Sequence, residues 1–127
     1  MKPGSFGSRA EGLDFIASCL EEPRHKQTTG GYLHRGHDGT DCCCAVGESL
    51  IRLDGVTVED NKRLAREGRL RSLELRYDGS RINDERAADL LGVTFTDIGR
   101  VIHLNDEELL DFPTIALRVR ARDGFAP

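Results

Sequence analysis

Apolar residues first recur at helical spacing: Leu13, Ile16, Ala17 and Leu20 fall on one face of a 3.6-residue repeat. Ser8-Arg9-Ala10-Glu11 precedes them with a capping-box pattern, and Pro23 ends them by pushing its predecessor out of helical space. Thr28 to Arg35 and Gly39 to Cys44 then bracket Gly36-His37-Asp38-Gly39, the pattern of a hairpin. Tyr32 and His34 share one face of its first strand and Leu33 takes the other. A helix is expected from about Cys43 to Leu53, stopped at Asp54-Gly55. A short charged helix follows over Glu59 to Glu67, with Gly68 as its stop. Leu73, Leu75 and Tyr77 alternate with Glu74 and Arg76, so Leu70 to Tyr77 reads as a strand turned by Asp78-Gly79.

Three further helices are expected. Asp84 caps one that runs to Leu91 and stops at Gly92. Thr94-Phe95-Thr96-Asp97 begins the next, which reaches about Leu104 before an Asn105-Asp106 turn. The last segment fits two periods. Phe112, Ile115, Ala116 and Val119 suit a helix, whereas Leu117, Val119 and Ala121 alternating with Arg118, Arg120 and Arg122 suit a strand. Asp111 before Phe112-Pro113 favours a helix to about Arg120, because Asp caps well and Pro fits the first helical turn. The expected fold is α+β: one mainly helical domain over residues 8–122 with a small antiparallel hairpin or sheet. Residues 1–7 read as a flexible leader and residues 123–127 as a tail.

Length and charge narrow the function classes. At 127 residues the chain has the size of one domain with a modest core. Its formal net charge of −4 argues against a general nucleic-acid coat, which needs a basic footprint. No apolar run has membrane-spanning length, and Met1-Lys2-Pro3-Gly4-Ser5 does not begin a signal peptide, so a cytoplasmic location without membrane contact is expected. Three of the four cysteines are contiguous, which is no secreted disulfide framework and favours reduced thiols.

Four chemistries are worth weighing. Ala88, Gly92 and Ile98 have helix-turn-helix spacing, and a second helix in a major groove would present Thr96, Asp97, Arg100 and His103. Two packed helices with a Gly turn are also ordinary scaffold, and acids outnumber cations between residues 81 and 118, so binding to duplex DNA is not expected. His34, His37, Cys42 and Cys44 have the residue types of a zinc site. They lack the Cys-x-x-Cys knuckle that aims two sulfurs at one point, so the thiols read as small buried hydrophobes and no metal is expected. A nucleophilic Cys42 or Cys43 paired with His25, His34, His37 or His103 would need an electropositive setting, and Asp41 opposes one. Thr28-Thr29-Gly30-Gly31 is a Gly turn whose N–H groups can cradle an anion. With Lys26, Tyr32, His34 and Arg35 it forms the weak ligand-binding stretch, although most Gly-Gly turns are only turns.

Three blocks carry a family likeness. Lys26-Gln27-x-x-Gly30 with Tyr32-Leu33 is the first, and Cys42-Cys43-Cys44-Ala45-Val46-Gly47 the second. The third comprises Ala88-Asp89-Leu90-Leu91-Gly92, Leu104-Asn105-Asp106 and Phe112-x-x-Ile115-Ala116. Together they resemble small phage- and prophage-encoded proteins whose signature runs Tyr-Cys-Cys-Leu-Gly-Val-Leu-Cys-Asp-Leu. The third cysteine comes early here, and Leu-Gly-Val becomes Cys-Ala-Val. The resemblance spans about residues 13–120 and implies a phage or prophage accessory protein, with no catalytic residues to carry over. Cys42, Cys43, Cys44, Asn105, Asp106, Asp111 and Phe112 are then expected to be structural. The expected function is non-enzymatic binding of a host protein or small ligand, without cofactor. A DNA-binding regulator over residues 84–104 and a Cys-dependent enzyme are the alternatives.

Overall fold

The computed structural model describes residues 1–36, 38–60 and 71–127. In chain order the elements are α1 (Arg9–Glu21), β1 (Lys26–Gln27), β2 (Leu33–Arg35), β3 (Asp41–Cys43), α2 (Ala45–Leu50), β4 (Thr57–Asp60), β5 (Arg71–Tyr77), β6 (Ser80–Arg81), α3 (Asp84–Leu91), α4 (Phe95–Asp106) and α5 (Phe112–Arg120). The fold is α+β in a single domain. The strands run in the order β1-β3-β2-β5-β4, with β6 also paired to β5. The expected β2/β3 hairpin is present, with Leu33 opposite Cys43. "Mainly helical" understates the sheet, which is six-stranded and mixed: β1 lies parallel to β3, and the other pairs are antiparallel.

α1 follows its sequence signals. The Ser8 hydroxyl accepts the Glu11 N–H at 3.2 Å, and Glu11 reaches back to the Gly7 N–H at 2.6 Å, one residue beyond the usual capping-box partner. Leu13, Ile16, Ala17 and Leu20 are all buried. Together with Leu33, Leu50, Leu91, Ile98, Leu104 and Ile115 they form the centre of the core. Each fully buried Leu or Ile contributes about 1.5–3 kcal/mol, as an upper bound.

α2 departs from the amphipathic pattern. All six of its residues are buried, including Glu48 and Ser49, and it packs against α1, α3, α4 and β3. It starts later and ends earlier than the expected helix from Cys43 to Leu53. Cys44 is its N-cap, and after Leu50 the N–H groups of Arg52 and Leu53 turn back to Ser49 and Leu50. Gly47 lets α2 approach the β1–β2 connection: a Cβ there would sit 1.8 Å from the Tyr32 carbonyl oxygen.

Several boundaries are corrected. The charged helix expected from Glu59 does not begin there. Thr57–Asp60 is instead strand β4, with Val58 opposite Leu75, because the β5 ladder outweighs a weak helical propensity. The rest of that segment, from 61 to 67, lies outside the described residues. Asn83, not Asp84, caps α3 by accepting the Arg86 N–H at 2.8 Å. Asn105 and Asp106 are the last residues of α4 and not a turn. Asp97, expected on the exposed face of α4, is 1% exposed: it completes a capping box with Thr94 and pairs with Arg9 at 2.7 Å.

Other expectations match the structure. Gly92 ends α3 in the left-handed region at φ 70°. α5 is a helix begun by Asp111, whose carboxylate accepts the Thr114 N–H at 3.0 Å. Leu117, which a strand face would have buried, is 69% exposed. Both ends of the chain touch the core. Phe6 packs on Phe15 with ring centroids 5.3 Å apart, the Gly4 N–H donates to Leu90, and Phe125 is buried.

Candidate functional site

A cleft of about 640 Å³ opens between the β1–β2 connection, β5 and the start of α3. Leu73, Leu75, Ile82 and Ile102 provide apolar wall, and Tyr32, Asp84, Asp106, Glu74 and Arg81 provide the polar groups. Local structure accounts for the placement. Because Asn83 takes the cap of α3, the Asp84 carboxylate is free to accept a short hydrogen bond from the Tyr32 hydroxyl. Burial first, then that bond and the Asp84 charge, push the Tyr32 phenol pKa far up, so it remains a proton donor. Asp106, at the end of α4, accepts from the Gly30 N–H at 3.2 Å and from the Asn105 amide at 2.7 Å.

The ligand-binding stretch expected from the sequence is only partly gathered here. Gly30, Gly31 and Tyr32 line the cleft. The Gly30 N–H already donates to Asp106, and the Thr28 N–H donates to the Cys43 carbonyl. Lys26 and Thr29 are exposed, and Arg35 pairs with Asp41 at 2.8 Å. His34 lies behind Gly31, and its Nε2 is buried without a hydrogen-bond partner. Burial lowers the His34 pKa, against an opposing pull from Asp106.

Asn105 is the joint of this region. Its Oδ1 accepts from the Gln27 side chain at 2.9 Å and from the Ala45 N–H at 3.1 Å, while its Nδ2 donates to the Thr28 carbonyl at 2.8 Å. Gln27 also donates to the Leu110 carbonyl at 2.6 Å. The Lys-Gln, triple-cysteine and Leu-Asn-Asp blocks, remote in sequence, therefore meet at one side chain.

The residues weighed as a zinc set in the sequence are not gathered into one site among the described residues. His34 and Cys42 are backbone partners across β2 and β3, Cys44 turns its sulfur to the Gly47 N–H at 3.4 Å, and His37 lies outside the described residues. All four cysteines are free thiols. Burial raises Cys19 to about 11 and Cys44 to about 12, and raises Cys43 still further with help from Glu48. These are poor nucleophiles at neutral pH. On the DNA-reader face, Thr96 and His103 are exposed, but Arg100 pairs with Glu108 at 3.2 Å.

A second polar cluster has none of its residues in the lining of the cleft. Glu48 is 0% exposed. Its Oε1 accepts from Arg52 at 2.5 Å and from the Arg24 N–H at 2.6 Å, and its Oε2 lies 2.7 Å from His25 Nδ1. The Cys43 sulfur lies within 4.8 Å of both the His25 nitrogen and a Glu48 oxygen. Sequence reasoning weighed Cys43 with His25 among several pairings but missed Glu48, because the three residues share no short motif. The only available signal was a glutamate inside an otherwise apolar helix, Ala45-Val46-Gly47-Glu48-Ser49-Leu50.

No protein-family model, curated protein or solved structure matches the chain. No helix among the described residues is long and apolar enough to cross a membrane.

Proposed function

We propose that the chain is a non-enzymatic binding protein whose cleft takes a small organic cation, in keeping with the accessory role that the phage and prophage resemblance implies. One observation carries this reading: a concave site with an apolar wall holds two carboxylates, Asp84 and Asp106, against one cation, Arg81, while Glu74 at its edge is paired with Arg76 at 3.3 Å. Apolar lining with a few converging polar groups is the usual make-up of a small-molecule site. The excess of carboxylates favours an amine and disfavours phosphate. Tyr32 and Asp84 would fix the ligand's charged end, and Leu73, Leu75 and Ile82 its carbon skeleton.

Less supports the alternatives. On a DNA-reading face Arg100 is already paired with Glu108, and Cys43, one of the two candidate nucleophiles, is a buried thiol whose pKa burial raises. The test is a thermal-shift and calorimetric screen of amines, amino acids, nucleosides and organic anions. Amines are expected to raise the melting temperature. Asp84→Asn and Tyr32→Phe should each weaken binding about tenfold or more while leaving the fold intact, because each removes a charged or hydroxyl partner. Stabilisation by anions alone, binding indifferent to both substitutions, or no hit at all would overturn the reading. A salt-sensitive gel shift with duplex DNA, abolished by Arg100→Ala, would put the regulator in its place.

A further inference from the structure

The second cluster shares no residue with the lining of the cleft and has a different donor set. His25 comes from the segment after α1, Cys43 from the end of β3, and Glu48 from buried α2. One ligand atom from each lies within 4.8 Å of the other two. We propose that His25 Nδ1, Cys43 Sγ and Glu48 Oε2 form a binding site for a divalent transition metal, with zinc the best-fitting ion.

The argument rests first on chemistry. One imidazole, one thiolate and one carboxylate are a borderline set that zinc accepts and that magnesium or calcium, which want oxygen, do not. Geometry is the second ground. Tetrahedral zinc, with bonds of about 2.0–2.3 Å, holds its ligand atoms roughly 3.3–3.8 Å apart. The present spacing brackets that range, since His25 and Glu48 are at 2.7 Å and the whole trio lies within 4.8 Å. Side-chain movements of about 1 Å suffice.

The surroundings supply a third ground. Glu48 Oε1 is held by Arg52 and by the Arg24 N–H, which orients Oε2 toward the other two donors as outer partners do around metal carboxylates. Arg52 binds the far oxygen, and two anionic ligands offset its charge. The His25 side chain is 22% exposed, which gives the ion a route in, and water would take the fourth position. A hydrogen-bonded network alone does not call for sulfur here, because a thiol is a weak donor to a carboxylate. On binding, the Cys43 S–H bond breaks and its proton passes to solvent. The neutral imidazole, whose Nδ1–H faces Glu48 Oε2 in the metal-free state, passes that proton through solvent to Nε2, so that Nδ1, the sulfur and the Glu48 oxygen each give an electron pair to the ion.

The probe is cobalt(II), added to the reduced, chelator-treated full chain. One equivalent should bind with tetrahedral d–d bands and a thiolate-to-cobalt charge-transfer band, and zinc should displace it. Cys43→Ala should abolish the charge-transfer band. His25→Ala, near the surface and checked for folding by circular dichroism, should weaken binding about tenfold or more. Cys42→Ser should change neither. The proposal fails if no charge-transfer band forms, if the band survives Cys43→Ala, or if folded His25→Ala binds as the parent does. None of these readouts depends on the cleft or its ligand.

Discussion

Asn105 shows how much a single side chain can hold here. It is 1% exposed and links α4 to β1, to the start of α2 and to Thr28 through three hydrogen bonds. Truncation would leave the Ala45 N–H and the Thr28 carbonyl without this partner in a dry interior. Asn105→Ala is expected to cost about 2–4 kcal/mol, since each orphaned buried group costs about 1–3 kcal/mol. The urea midpoint should fall with little change in slope; an unchanged midpoint would show that water replaces the amide. The Leu-Asn-Asp block was readable in the sequence as structural, but its physical role was not. Asn105 meets Gln27 and Ala45 across 78 and 60 residues of chain, and local spacing carries no record of such partners.

At the scale of elements, capping chemistry was the most legible signal. Ser8, Thr94 and Asp111 each accept an N–H from the first turn of the helix they begin. Such bonds are local, so sequence spacing alone specifies them. The choice between Asn83 and Asp84 was less legible, because adjacent Asn and Asp are equally good caps and the tertiary contact with Tyr32 selects between them. α2 gave the weakest signal, since a helix buried on every side has no polar stripe to reveal its phase. Its close approach to the β1–β2 connection yields a prediction. Gly47→Ala would drive a methyl group into the Tyr32 carbonyl, and the backbone must shift to accept it. Destabilisation of about 2–3 kcal/mol is expected in denaturant melts. The same shift would displace Tyr32 from Asp84, so any amine binding in the cleft should weaken as well. A variant as stable as the parent would show that α2 is free to move.

At the scale of the whole molecule, ion pairs tie the ends of the chain together. Arg9 pairs with Asp97, Arg120 with Glu21 and Arg122 with Asp14. The consequence is a stability that depends on acid. A hydrogen bond from Arg120 lowers the Glu21 pKa, and bonds from the Thr114 side chain and then its N–H lower that of Asp111. Asp97 is pushed up by burial, but Arg9 and Thr94 more than offset this and leave it below the ordinary value of 3.8. Folded pKa values below the unfolded ones contribute stability that is fully present above the unfolded values. That stability is lost as pH falls through the folded ones. The urea midpoint should therefore hold above about pH 5 and drop below about pH 4. Asp97→Asn should start lower and fall less steeply. A midpoint that rises on acidification from pH 5 to pH 3 would contradict this account.

The α+β class, the β2/β3 hairpin, β5 and most helix starts were determined by the sequence, because alternation, turn residues and caps act over a few positions. Helix won at Phe112–Arg120 by the same local logic: Asp111-Phe112-Pro113 sets the phase before the alternating arginines can act. The parallel β1, the strand at Thr57–Asp60, the Tyr32–Asp84 cleft and the His25–Cys43–Glu48 cluster were decided only in three dimensions. Each depends on partners brought together by burial of the shared core, and the free energy of that burial belongs to no single segment of the chain.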